Sequence, residues 1–288
     1  MHSSVSHRPE VLRAWAGHGW LLAEPARKLE CVAAIATLLE GGMPGEPTPM
    51  PDRDALAARE PGRPARPLLV DPRGVPPRPV GSAEGRAALL HAIAHIEFNA
   101  INLALDAAWR FEAMPEEFVR DWLSVAVDEA KHFRMLRDEL RERGYEYGDF
   151  DAHDGLWQLA WRTRADVLAR MALVPRVMEA RGLDATPPLQ RRLRSVGDRR
   201  AVAILQVILD EEVRHVAIGN RWYHELCAGR GLDPRASFIE LYQRHAAPPT
   251  RGPLNREARL AAGFTDAELD WLSEAAPAGR RPPPAPAA

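Results

Sequence analysis

The chain has 288 residues, 46% hydrophobic and 27% charged, with 38 basic and 40 acidic side chains. That composition belongs to a folded globular protein with a sizeable core and excludes wholesale disorder. A net charge of -2 excludes a nucleic-acid binder that works through bulk positive charge. The longest clean apolar run, Cys31 to Leu39, is too short to cross a membrane. The N-terminus lacks the basic-then-apolar order of a secretory signal, and the isolated Cys31 and Cys227 form no CxxC motif. A cytoplasmic protein without membrane contact is expected.

Residues 1–43 read as a helical segment, with one or two helices between Arg13 and Glu40 packed outside the helical bundle that follows. Proline is over-represented, 26 of 288 against a usual ~5%, and eleven prolines fall between Pro44 and Pro79. Residues 44–81 therefore read as an extended connector wrapped over the surface. Helical periodicity dominates residues 82–229. Ser82 caps a first long helix through Leu90, Ile101 and Leu105 to Phe111. Met114-Pro115-Glu116-Glu117 starts a second, which carries Trp122, Phe133 and Leu140 and stops at Gly144. A third begins near Asp154, kinks at Pro175 and stops at Gly182. A short piece starts at Thr186-Pro187 and ends near Val196. Asp198 then caps a fourth long helix to Gly229. Residues 230–276 form a helical extension, and 277–288, rich in Pro and Ala, a disordered tail.

Strand signals are nearly absent, so the fold class is all-α. The tight turn between the first two helices and the longer Gly144 to Asp154 crossing suggest two helical hairpins joined by a crossover. That is the ferritin-like four-helix bundle, here with additional N-terminal helices and a Pro-rich connector.

Two Glu-x-x-His tetrads stand out, Glu129-Ala-Lys-His132 and Glu212-Val-Arg-His215. Residues three apart share a helix face, so each tetrad can aim a carboxylate and an imidazole at a metal. Chance placement of 23 Glu and 10 His would give about one such tetrad. Position separates these two from chance: each lies mid-helix, on a different helix, within an apolar stripe. A di-iron bundle needs one more Glu from each of the other two helices. Glu97 lies 32 residues before Glu129, and Glu179 lies 33 before Glu212. Glu97 is 17 residues before Met114 and Glu129 is 15 after it, which sets them at nearly equal height on antiparallel helices. Carboxylate oxygens with imidazole nitrogens suit two iron ions, or manganese or a mixed pair, and lack the thiolates of structural zinc. Asp128 and Glu211, each four residues before its His, are candidates to orient the imidazoles, with Arg214 balancing their charge. Each residue also has a plainer reading, as a hydrogen-bonded histidine or a solvent-facing acid. Glu179, close to a predicted helix end, is the weakest of the six, with Asp166 a poorer substitute.

The segments Ala94-His-Ile-Glu97, Asp128-Glu-Ala-Lys-His-Phe133, Glu179-Ala-Arg-Gly-Leu-Asp184 and Asp210-Glu-Glu-Val-Arg-His-Val216 resemble the bacterial domain-of-unknown-function family 455. Pro61-Gly-Arg-Pro64 and Gly81-Ser-Ala-Glu-Gly-Arg-Ala87 carry the same resemblance, which covers roughly residues 10 to 245. It implies a ferritin-like fold and metal site, supports Glu179 as a ligand, and brings a distant likeness to a di-iron hydroxylase acting on tRNA. It supplies no substrate.

The favoured expectation is an O2-dependent di-iron oxidase or hydroxylase of an organic substrate. A separate reductase is expected with it, because no GxGxxG nucleotide fingerprint occurs. The alternatives are a ferroxidase or iron-handling protein, and a non-catalytic metal-binding helical protein. Gln190-Arg-Arg-Leu-Arg194 with Arg199-Arg200 keeps tRNA open as a partner, although a solvated helix face accounts for those arginines more simply. Trp109, Trp122, Trp157, Trp161 and Trp222 at helical spacing are expected in the core.

Overall fold

The computed structural model describes residues 9–45, 56–57, 59–76, 78–250 and 252–275; the proposed tail from residue 277 lies outside them, as does part of the Pro-rich connector. The described residues are all-α. Their helices are α1 (Pro9–Leu21), α2 (Pro25–Leu39), α3 (Ala83–Arg110), α4 (Glu116–Glu142), α5 (Gly155–Arg162) and α6 (Val167–Leu173). After a π-helical turn, Val174–Glu179, come α7 (Ala180–Ser195), α8 (Arg199–Gly229), α9 (Pro234–Arg244), α10 (Arg256–Ala261) and α11 (Asp266–Ala275). The chain divides into two units. The first holds the residues up to Arg164 together with Gln190–Ile208, and the second holds Ala165–Leu189 and the residues from Leu209 onward.

In the first unit α3 and α4 form a long hairpin, with α1 and α5 packed on α3 and α2 on α4. Ser82 caps α3 as expected, accepting the Gly85 N–H at 3.0 Å. The other end of α3 is closed from a distance. Buried Arg13 of α1 donates to the carbonyls of Ala108 (2.7 Å), in the last turn, and of Phe111 (3.1 Å) and Met114 (2.6 Å), just beyond it. By length and composition α3 could cross a membrane, but most of it is buried inside the protein, as befits a core helix. Trp109, Trp122, Trp157 and Trp222 are buried, whereas Trp161 is only half-buried, under the Arg164 guanidinium. Each fully buried large apolar side chain contributes about 1.5–3 kcal/mol.

α3 also carries a buried polar stripe: His91, His95, Asn99, Asn102 and Asp106. Their spacing of four, four, three and four puts them on one helix face. Tyr147 Oη lies 2.9 Å from His95 Nδ1, and the Gly148 N–H donates to His91 Nε2 at 2.9 Å. Lys28 of α2 donates from Nζ to Asn102 Oδ1 (2.6 Å) and to the Gly19 carbonyl (2.8 Å) near the end of α1. The stripe therefore ties α1, α2 and the crossing after α4 to a single helix.

That crossing leaves α4 through Gly144, whose φ of +82° is a left-handed conformation that a Cβ disfavours. Glu146 then accepts from Arg137 Nε (2.8 Å), Arg141 Nε (2.7 Å) and the Tyr147 N–H (2.7 Å). Burial raises the Glu146 carboxyl, but these donors outweigh it and hold the group at about 2, against 4.5 unfolded. The stability it adds is therefore fully present above pH 4.5 and lost as pH falls through about 2. Because the carboxylate is half exposed, the loss should stay under ~1 kcal/mol. Urea midpoints measured from pH 5 to pH 2.5 should fall more steeply for wild type than for Glu146→Gln; parallel curves would contradict this account. In the described part of the Pro-rich segment, the Val70 N–H donates to the Ala152 carbonyl, and the Ala152 N–H to that of Leu68. Arg63 also pairs with Asp154 at 2.8 Å.

The third helix differs from the sequence reading. It does not run unbroken from Asp154 but stops after Arg162 and restarts at Val167. The Thr163 hydroxyl donates to the Leu159 and Ala160 carbonyls, and Asp166 accepts the Leu168 N–H, so both side chains satisfy backbone groups locally. Pro175 produces a π-helical turn: it is the Ala180 N–H, five residues on, that donates to the Pro175 carbonyl. Gly182 is not a stop, and Thr186-Pro187 is not a start, because α7 runs continuously through both. Pro187 brings no N–H to the Leu183 carbonyl, and Asn255 Nδ2 donates there instead, at 3.1 Å.

Candidate metal centre

α3 and α4 bring Glu97, Glu129 and His132 together within the first unit, and all three are buried. Glu129 and His132 share a face of α4 because they are three residues apart. The equal height expected for Glu97 and Glu129 is realised: His132 Nδ1 lies 3.2 Å from Glu97 Oε2 and 3.3 Å from Glu129 Oε2. Phe98 and Phe133, the next residues along each helix, pack ring to ring at 5.4 Å and pin this register. One donor atom from each of Glu97, Glu129 and His132 lies within 4.8 Å of the other two.

The three groups of this cluster shift one another's protonation. Burial first, then the neighbouring Glu129 charge, push the Glu97 carboxyl well above the usual range, although its hydrogen bond to His132 pulls the other way. Burial alone lowers an imidazole pKa, yet hydrogen bonds to Glu129 and Glu97 prevail and push His132 up to about 11. Two carboxylates held this close in a low-dielectric interior retain protons unless positive charge is supplied.

The second unit repeats part of the pattern. His215 is fully buried on α8 with Nδ1 3.1 Å from Glu212 Oε2. Glu179 is also buried, at the last position of the π-helical turn. Gly182, one helical turn on, approaches Glu212 closely enough that a Cβ there would lie 3.6 Å from Glu212 Cγ. Asp166, the substitute considered for Glu179, is instead the cap of α6 and pairs with Arg230 at 3.1 Å.

Of the residues considered as imidazole orienters, Asp128 lies 3.9 Å from Lys131 Nζ, and Glu211 is half-buried. Arg214 is exposed: two residues from Glu212, it falls on the other side of α8. In the basic cluster Arg191, Arg192, Arg194 and Arg199 are exposed. Gln190 is buried against Gln206 (3.0 Å), and Arg200 pairs with Glu139 at 2.9 Å.

Sequence reasoning missed the polar residues that support these helices, namely Arg13, the α3 stripe, Arg176 and Arg259. The stripe had a readable signal, five polar residues at helical spacing inside an apolar helix. The arginines had none, because what marks them is burial.

Residues 21–270 match the family described as "Protein of unknown function (DUF455)". A relative from Haemophilus influenzae, described as an uncharacterized protein, is 53% identical over 218 residues, spanning 73% of this chain and 76% of the relative. No solved structure matches. The family match spans most of the chain, and the chain belongs to the DUF455 family.

Proposed function

We propose that this protein is a ferritin-like, non-haem di-iron carboxylate protein, acting as an O2-dependent oxidase or hydroxylase of an organic substrate. The observation that carries the reading is the buried Glu97, Glu129 and His132 cluster, whose donor atoms lie within 4.8 Å of one another. The recurrence of the same residue types as Glu179, Glu212 and His215 at an offset of 82 to 83 residues supports one iron for each set. The donor set fits: oxygen and imidazole nitrogen without thiolate suit iron or manganese. When bound, iron supplies the oxygen reduction and one-electron steps that these side chains cannot perform themselves. The carboxylates offset the cationic charge and the imidazoles hold their place through the Glu-x-x-His spacing. Phe98 and Phe133 keep the surroundings apolar and restrict water beside Glu97 and His132.

The test is anaerobic loading with Fe(II), removal of unbound metal, iron quantification, and the optical spectrum after O2 is admitted. About two irons per chain and a near-ultraviolet charge-transfer band that appears with O2 are expected for wild type. Glu129→Ala and His215→Ala should each lose the band and at least one iron. No metal above background in wild type, or binding that survives both substitutions, would sink the proposal.

A further inference from the structure

We propose that Asn255 and Arg259 of the C-terminal extension are positioning residues for Glu179, fastening the irregular backbone that carries it so that this carboxylate can serve as an iron ligand. The inference rests on the di-iron reading above and assigns a role to a segment that the reading leaves unused.

Glu179 closes a π-helical turn and is followed by a helix containing two internal prolines, Pro187 and Pro188. A ligand set there has weaker backbone support than Glu212 on the regular α8, because a wide turn and missing N–H donors leave helix carbonyls unpaired. The segment from Asn255 to Arg259 supplies one missing donor and a second anchor. Asn255 Nδ2 donates to the Leu183 carbonyl at 3.1 Å, the one that Pro187 cannot serve. Arg259, 1% exposed, donates through Nη2 to the Ala180 carbonyl at 3.2 Å, immediately after Glu179. Its Nε and Nη2 also hold the Asp184 carboxylate at 3.0 and 2.6 Å, and Asp184 Oδ1 accepts the Asn255 N–H at 2.9 Å. The backbone that follows the ligand is thus tied to one short segment at two levels: Ala180 directly after Glu179, Leu183 and Asp184 a turn later. Gly182 lies between these anchors, on the approach to Glu212. A carboxylate must be held to within a fraction of an ångström to share a metal, and side chains that lock the backbone behind it provide that precision.

The full-length chain and its Glu179→Ala, Asn255→Ala and Arg259→Ala variants would be loaded with Fe(II) anaerobically. Their metal-free forms would be compared by hydrogen exchange. Wild type should retain about two irons and Glu179→Ala about one. Asn255→Ala and Arg259→Ala should fall to the Glu179→Ala value, with faster exchange confined to residues 176–188 and none in α3 or α4. Two irons retained in Asn255→Ala would overturn the proposal even if exchange quickens, since the contacts would then be structural only. Unchanged exchange at 176–188 would also overturn it. Should Arg259→Ala loosen the whole chain, Asn255→Ala, which removes one half-buried amide, decides the matter. Absence of iron in wild type is a different result: it removes the di-iron reading and this inference with it, and it is visible before any variant is compared.

Discussion

Replacing Glu268 with alanine is expected to cost about 3–5 kcal/mol and lower the melting temperature by roughly 10 °C. Glu268 of α11 pairs with Arg176, which sits in the π-helical turn and is fully buried. The guanidinium lies 4.2 Å from the Tyr223 ring centroid, 4.5 Å from that of Phe238 and 5.1 Å from that of Phe264. Those ring faces favour a cation but do not replace a carboxylate as hydrogen-bond acceptor. The other carboxylate oxygen of Glu268 accepts the N–H and hydroxyl of Thr265, both at 2.9 Å. Burial would raise the Glu268 carboxyl, but Arg176 and Thr265 hold it below the usual range, so it is ionised at neutral pH. Deleting one strands the other in an apolar cage. The double replacement Arg176→Met with Glu268→Leu should be far milder than Glu268→Ala, because neither residue then leaves an unpaired charge behind. Thermal melts of the three chains check this. A Glu268→Ala chain that melts within 2 °C of wild type would show that the pair contributes little.

Gly219→Ala is expected to destabilise by roughly 1–3 kcal/mol and to disturb Glu179 as well. A Cβ at this α8 position would lie 2.3 Å from both Cβ and Cγ of Pro175. A proline ring cannot rotate away, so either the π-helical turn or α8 must move. Glu179 lies four positions after Pro175 in the same turn, so displacement at Pro175 reaches the carboxylate at the turn's end. A double-mutant cycle with Pro175→Gly isolates the clash: removing the ring should recover much of the Gly219→Ala loss. Urea unfolding supplies the free energies. Additive losses in the double variant would mean that the two positions do not contend for the same space.

The regular helices were legible from the residues themselves, since their signals are local. Ser82 caps α3, Gly144 ends α4 and Asp198 precedes α8, in each case because a side chain or a missing Cβ suits one backbone position. The height of Glu97 against Glu129 followed from counting residues on either side of a tight turn, which works when both helices are straight and antiparallel. The region from Asp154 to Val196 defied the same counting. Pro175 and Gly182 signal interruption locally, yet the helix continues past both. Distant groups decide that outcome: Asn255 serves the carbonyl that Pro187 leaves open, and Gly219 makes room for the Pro175 ring. By itself, then, the sequence determined the all-α class, the long helices α3, α4 and α8, and the residue types of the two Glu and His sets. Only the tertiary structure decided that Glu97, Glu129 and His132 meet in a buried cluster, and that Glu179 is buried rather than a surface acid at a helix end. The physical reason is that caps and periodicity act within a few residues, whereas burial and the pairing of orphaned carbonyls depend on partners up to a hundred residues away.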